Sequence, residues 1–121
     1  MIDMKARTKK FTIDCALLCS KIPNSREYNA YVNQLIRCSS SVGANYRASQ
    51  RAKSAADFLN KLKIVEEEAD ESNFFLEIIL ELNKNADLKL EINTLLKEGD
   101  EILAIIVASI KTARINQGNK K

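Results

Sequence analysis

A chain of 121 residues, 45% apolar and 29% charged, is globular rather than disordered and can build one core but not two. One Pro and three Gly leave few places where a turn must form, which excludes a many-stranded sandwich or barrel and favours a few long helices. The net charge of +3 hides an asymmetry: residues 1–63 carry twelve Lys and Arg against four Asp and Glu, and residues 64–121 carry seven against twelve. That division suits opposed basic and acidic surfaces, for self-association or for an anionic partner.

The first helix is predicted over 8–21, with Phe11, Cys15, Leu18 and Ile22 on its apolar seam. Pro23 ends it, because a proline nitrogen cannot continue the ladder. Asn24-Ser-Arg-Glu27 has capping-box spacing, with Asn24 accepting from first-turn amides and Glu27 reaching back. The second helix then runs over 25–50 on the seam Tyr28, Tyr31, Leu35, Cys38, Val42, Asn45 and Ser49. Its interior Gly43 costs about 1 kcal/mol against Ala, so close backbone approach by a neighbour is expected there. Asn45, on the seam, is read as a buried polar residue in need of partners.

Ser54-Ala-Ala-Asp57 is a second cap and restarts the chain as a third helix over 54–83. From Phe58 its seam steps 4-3-4-3-4-3 through Leu62, Val65, Ala69, Ser72, Leu76 and Ile79. Asn83 to Asp87 makes the next turn, a fourth helix follows over 88–114, and the polar tail 116–121 is expected to fray. Short connections make neighbours antiparallel. The expected architecture is all-α, one up-down-up-down four-helix bundle over 1–121.

Two helices carry more apolar surface than one bundle hides. The third adds Phe74, Phe75 and Ile78 away from its seam, and Ile102-Leu-Ala-Ile-Ile-Val107 is apolar around nearly the whole helix. A second copy is expected to cover the excess. The interface candidates are Gly43, Arg47, Arg51, Glu67, Asp70, Glu71, Phe74, Phe75 and Ile78. Arg47 and Arg51, at i and i+4, form a fork that fits a neighbour's carboxylates or nucleic-acid phosphates equally well.

Chemistry is sparse. No His occurs, which removes Ser-His-Asp and Cys-His nucleophilic sites and the Glu-x-x-His di-iron pattern. There is no Gly-rich phosphate loop, and Cys15, Cys19 and Cys38 lack zinc-site spacing and are read as buried structural thiols. Glu67-Glu68-x-x-Glu71 could hold Mg²⁺ as in all-helical nucleotide pyrophosphohydrolases. The E-x-x-D that completes that site is missing, since Glu98-Gly-Asp-Glu101 gives E-x-x-E, so these acids are read as helix-surface charges. No enzyme activity, metal or cofactor is expected. Residues Arg37, Arg47, Arg51, Lys53 and Lys61 are the nucleic-acid candidates, with Lys63 and the N-terminal Lys5, Arg7, Lys9 and Lys10 beside them and Tyr46 interleaved. The N-terminus has no apolar signal-peptide core, and the longest apolar or small run, 102–110, falls well short of the roughly 20 residues of a membrane span. A cytoplasmic location without membrane contact is expected.

The run Ser41-Val-Gly-Ala-Asn-Tyr-Arg47, with Arg51-Ala-Lys-Ser54, Asp57-Phe58, Lys61-Leu62, Val65 to Ser72 and Phe75-Leu-Glu77, closely resembles a bacterial family. It is the four helix bundle protein family, related to proteins encoded by intervening sequences within 23S rRNA genes and once labelled ribosomal proteins. The matching positions are Asn45, Tyr46, Arg47, Arg51, Ser54, Phe58, Lys61, Glu67, Asp70 and Glu71; Phe75 stands where members often have Trp. The resemblance implies an up-and-down bundle assembled as a ring-like homopentamer. It also implies kinship with the accessory protein of diversity-generating retroelements, a basic pentameric barrel that binds nucleic acid and a reverse transcriptase. No catalytic residue is implied. The function expected is thus a non-enzymatic homo-oligomer that binds structured RNA or a ribonucleoprotein, the alternative being a scaffold for a partner protein with no nucleic-acid role.

Overall fold

Caps and turns divide the chain into four helices in the computed structural model, which describes residues 3–118: α1 (Met4–Cys19), α2 (Arg26–Ser49), α3 (Ala55–Leu82) and α4 (Ala86–Gly118). No strand occurs among the described residues. α1 begins four residues before the expected Thr8, because Asp3 caps it by accepting from the Ala6 amide at 3.1 Å. It ends at Cys19 rather than Lys21, the amides of Lys21 and Ile22 turning back to Leu18 and Cys19. Ser25, not Asn24, caps α2, its hydroxyl accepting from the Tyr28 amide at 3.0 Å. Ser54 caps α3 by accepting from the Asp57 amide at 3.0 Å, and the Asp57 carboxylate accepts from the Lys53 amide at 3.1 Å. α4 starts at Ala86, two residues before the expected Leu88, because the Asn85 side chain accepts from the amides of Asp87 and Leu88. It also continues through Asn116–Gly118, where fraying was expected; Asn119 to Lys121 lie outside the described residues.

Each helix packs on its chain neighbours, and α1 also packs on α4, which closes a four-helix bundle. Residues brought together run in opposite directions along neighbours: Thr12 meets Ser39 and Thr8 lies by Gly43, Arg37 meets Glu71 and Tyr28 meets Leu82. One apolar cluster fills the centre. Phe11, Cys15 and Leu18 enter from α1, Leu35 and Val42 from α2, Leu62, Val65, Ala69, Leu76 and Ile79 from α3, and Ile92, Ile102 and Ile106 from α4. Burying each large side chain contributes about 1.5–3 kcal/mol. Leu59 is buried where the seam reading placed Phe58, which is half-buried against the core.

Two glycines mark close packing. A Cβ on Gly43 would lie 2.7 Å from Thr12 Oγ1, 3.4 Å from the Thr8 carbonyl and 3.7 Å from Lys9 Cα, so α1 crosses α2 here backbone to backbone. Thr12 seals the crossing by donating to the Ser39 carbonyl at 2.6 Å. Between α3 and α4, the Asn73 side chain lies across Gly99, where a Cβ would fall 2.0 Å from its Oδ1. Asn73, only 5% exposed, donates from Nδ2 to Asp100 at 2.8 Å while its Oδ1 has no partner. This is the buried polar residue that matters. Asn45, expected in that role, is half-buried and donates to the Ser41 carbonyl and hydroxyl one turn back, because its side chain lies beside the seam rather than on it.

The three cysteines are free and buried. Burial raises all three thiols above their ordinary value, Cys19 to about 11, so none is a ready nucleophile.

Candidate nucleic-acid interface

The end of the bundle where α2 hands over to α3 collects positive charge. The last turn of α2 supplies Arg47, the short connection places Arg51 and Lys53 next to it, and the first turns of α3 add Lys61. Together with Ala44, Ala48 and Asp57 they line an open cleft of about 350 Å³. A neighbouring groove of about 330 Å³ between α1 and α2 shares Ala44 and Arg47 with it and adds Lys5, Lys9, Thr12, Ile13, Ser40 and Gly43. The two form one basic surface.

Its electrostatics are unbalanced. Among the described residues, Lys5, Lys9, Arg47, Arg51 and Lys53 pair with no carboxylate; the one acid lining either cleft is Asp57. Asp57 is already engaged by the Lys53 amide, which holds its carboxyl below the usual range, and by Lys61 at 3.4 Å. Unpaired cations on a low-dielectric wall attract an anion strongly, and the exposed Arg forks suit phosphate oxygens.

The other candidates separate from this surface. Arg37 lies ten residues earlier on α2 and meets Glu71 at 2.9 Å and Glu68 at 3.5 Å, so it serves the α2–α3 contact and is no part of the basic cleft. Burial raises the Glu68 carboxyl, and the Arg37 guanidinium opposes that shift. Arg7 grips Glu98 with two bonds of 2.7 Å and reaches Glu101 at 3.1 Å, and Lys10 pairs with Asp14. Tyr46 packs against the core, where burial raises its hydroxyl, and offers no stacking face to the cleft. Lys5 and Lys9 are one turn apart, but only the α1–α2 register places them by Arg47.

The interface candidates occupy two places. Gly43 and Arg47 line the α1–α2 groove. Glu67, Asp70, Glu71, Phe74 and Ile78 run along the outer side of α3, where Phe74 is 54% exposed and touches Phe75 edge-on at 5.3 Å between ring centres. Phe75 turns inward toward Tyr31, at 6.3 Å, so it contributes to the bundle more than to its surface. Arg47 and Arg51 make no pair with Glu67, Asp70 or Glu71 within one chain. No group of three or more His, Cys, Asp or Glu side chains among the described residues could hold a metal ion. A cleft of about 760 Å³ sits at the opposite end between Pro23 and Asn85, where Tyr28 already donates to the Leu82 carbonyl at 2.9 Å and Ser25 and Asn85 are committed to caps.

A four-helix bundle with a basic cleft at one end is thus the class that fold and site define. The sequence model of the 23S rRNA-intervening sequence protein family matches residues 2–108, and the chain belongs to that family. A crystal structure of a protein of unknown function from the S23 ribosomal protein family of Bacteroides thetaiotaomicron is similar throughout: TM-score 0.81 and 27% identity, over 90% of this chain and 99% of that one. No curated protein matches the chain. No helix among the described residues is long and apolar enough to cross a membrane.

Proposed function

We propose that this protein is a self-associating, non-enzymatic bundle that binds structured RNA through the basic cleft at the α2–α3 end. The observation that carries the reading is the cluster Arg47, Arg51, Lys53 and Lys61 around one cleft, with Lys5 and Lys9 in the groove beside it and one already engaged acid. Membership of the 23S rRNA-intervening sequence protein family makes rRNA the first polyanion to test. Exposed cations without base-reading geometry act on phosphates, so affinity falls steeply with salt and depends little on sequence. Self-association multiplies a weak patch by avidity, and the exposed Phe74, Leu17, Ile13 and Val107 supply apolar surface for it.

Filter binding of rRNA fragments at ~50 mM salt, where phosphate contacts are strong, tests the reading. Arg51→Glu with Lys53→Glu is expected to weaken binding for every fragment and to lower the slope of log affinity against log salt by about one for each cation removed. Arg37→Ala is expected to leave that slope unchanged. No binding by the wild type at low salt overturns the proposal.

A further inference from the structure

We infer that Asp57 competes with phosphate for Lys61 and so sets how tightly the basic cleft holds RNA. This deepens the RNA-binding reading above and rests on it.

Three observations carry it. The first is place. Asp57 is the one acid among the described residues lining the cleft, set among Arg47, Arg51, Lys53 and Lys61. The second is restraint. The Asp57 carboxylate accepts from the Lys53 amide at 3.1 Å while the Ser54 hydroxyl accepts from the Asp57 amide at 3.0 Å, so the acid is tied into the cap that starts α3. It cannot swing out of the cleft without breaking that cap. The third is the pair itself. Lys61 Nζ lies 3.4 Å from Asp57 Oδ1, one helical turn on, with both side chains 32% exposed. Arg7 and Glu98, by contrast, close to 2.7 Å.

The Lys61 ammonium is thus held loosely enough for an incoming phosphate to draw it away. Two penalties follow: the pair must open, and the carboxylate, fixed in the cap, repels the phosphates that Arg51 and Lys53 attract. Asp57 acts on RNA through Lys61, as a positioning residue, while its own bonds serve the start of α3. Removing its charge and keeping its cap gives the cleft a fourth cation with no acid to leave.

The test measures full-length Asp57→Asn against the wild type by filter binding of the same rRNA fragments between ~50 and ~200 mM salt, with circular dichroism to verify the helices. Asparagine keeps an oxygen for the Lys53 amide, and Asp57→Gln, which suits the same capping-box position, supplies a second neutral variant. Both are expected to bind more tightly than the wild type at low salt and to steepen the slope of log affinity against log salt by about one. Their advantage then shrinks roughly threefold by ~200 mM. Glu27→Gln removes an equal charge at the opposite end of the bundle and is expected to change neither quantity. In a Lys61→Met background the gain from Asp57→Asn is expected to be largely lost. Neutral variants that bind no better than the wild type, a gain of the same size without Lys61, or an equal gain from Glu27→Gln overturns the competition while RNA binding stands. A wild type that binds no fragment overturns both.

Discussion

Gly99 is where the packing tolerates least, because a single methyl group decides the outcome. In Gly99→Ala the new Cβ would fall 2.0 Å from Asn73 Oδ1 and 2.9 Å from its Cγ, whereas a carbon and an oxygen in contact need about 3.3 Å. Asn73 must withdraw by more than 1 Å (by difference), which breaks its 2.8 Å bond to the Asp100 carboxylate. A hydrogen bond to a charged group is worth about 1.5–3 kcal/mol, and replacing a mid-helix glycine returns about 1 kcal/mol of helix propensity. The net expectation is a loss of roughly 0.5–2 kcal/mol. In an Asn73→Ala background the obstacle is gone, and the same change should stabilise by up to about 1 kcal/mol. Urea unfolding at fixed protein concentration, completed as a double-mutant cycle, reads both numbers. Gly99→Ala having the same sign in both backgrounds would refute the claim that Asn73 forbids a side chain at position 99.

Two further outcomes follow from titratable groups. The Arg7 fork holds the Glu98 carboxyl below its ordinary value of 4.5, so the stability it contributes is present above that pH and drains away as pH falls through the lower folded value. The urea midpoint should therefore drop below pH 4.5 less steeply in Glu98→Gln than in the wild type, and identical acid limbs would count against the tie. Cys15, Cys19 and Cys38 should resist maleimide at pH 8 in the folded protein and react fully in urea, because burial both covers the sulfurs and disfavours the thiolates; fast labelling of folded protein would show that the bundle opens.

The element order was legible because its signals are local. Pro23, Ser54 and the Asn83–Asn85 turn stand between apolar runs with helical spacing, and the seam from Leu62 to Ile79 is buried as its period requires. Boundaries slipped where the deciding group was one residue away or outside the pattern: Asp3 rather than Thr8 sets the start of α1, and Ser25 rather than Asn24 that of α2. Gly43 could be flagged from its place inside a helix, but that α1 is what crosses it depends on a contact about thirty residues away in sequence. Asn73 gave no such warning. It sits one residue off the seam, and only its position across Gly99 makes it a core residue. Arg37 failed for the converse reason: its type and neighbours match Arg47, and only the α2–α3 register commits it to Glu68 and Glu71.

Register also separates the roles of the basic residues. A cation contributes to phosphate binding only while no carboxylate neutralises it, because a satisfied pair must be broken before it can serve a second partner. Arg7, Lys10, Arg37 and Lys61 all have acids in reach within the chain, at Glu98, Asp14, Glu71 and Asp57. Lys61 alone among them also lines the basic cleft, and the acid it shares is held by a backbone amide as well, so it is the least committed of the four. Among the cations with no acid in reach among the described residues, Lys5, Lys9, Arg47, Arg51 and Lys53 share one continuous surface. The excess of cations in the first half of the sequence thus reaches the surface as a basic cleft at the α2–α3 end, whose one lining acid, Asp57, is already engaged.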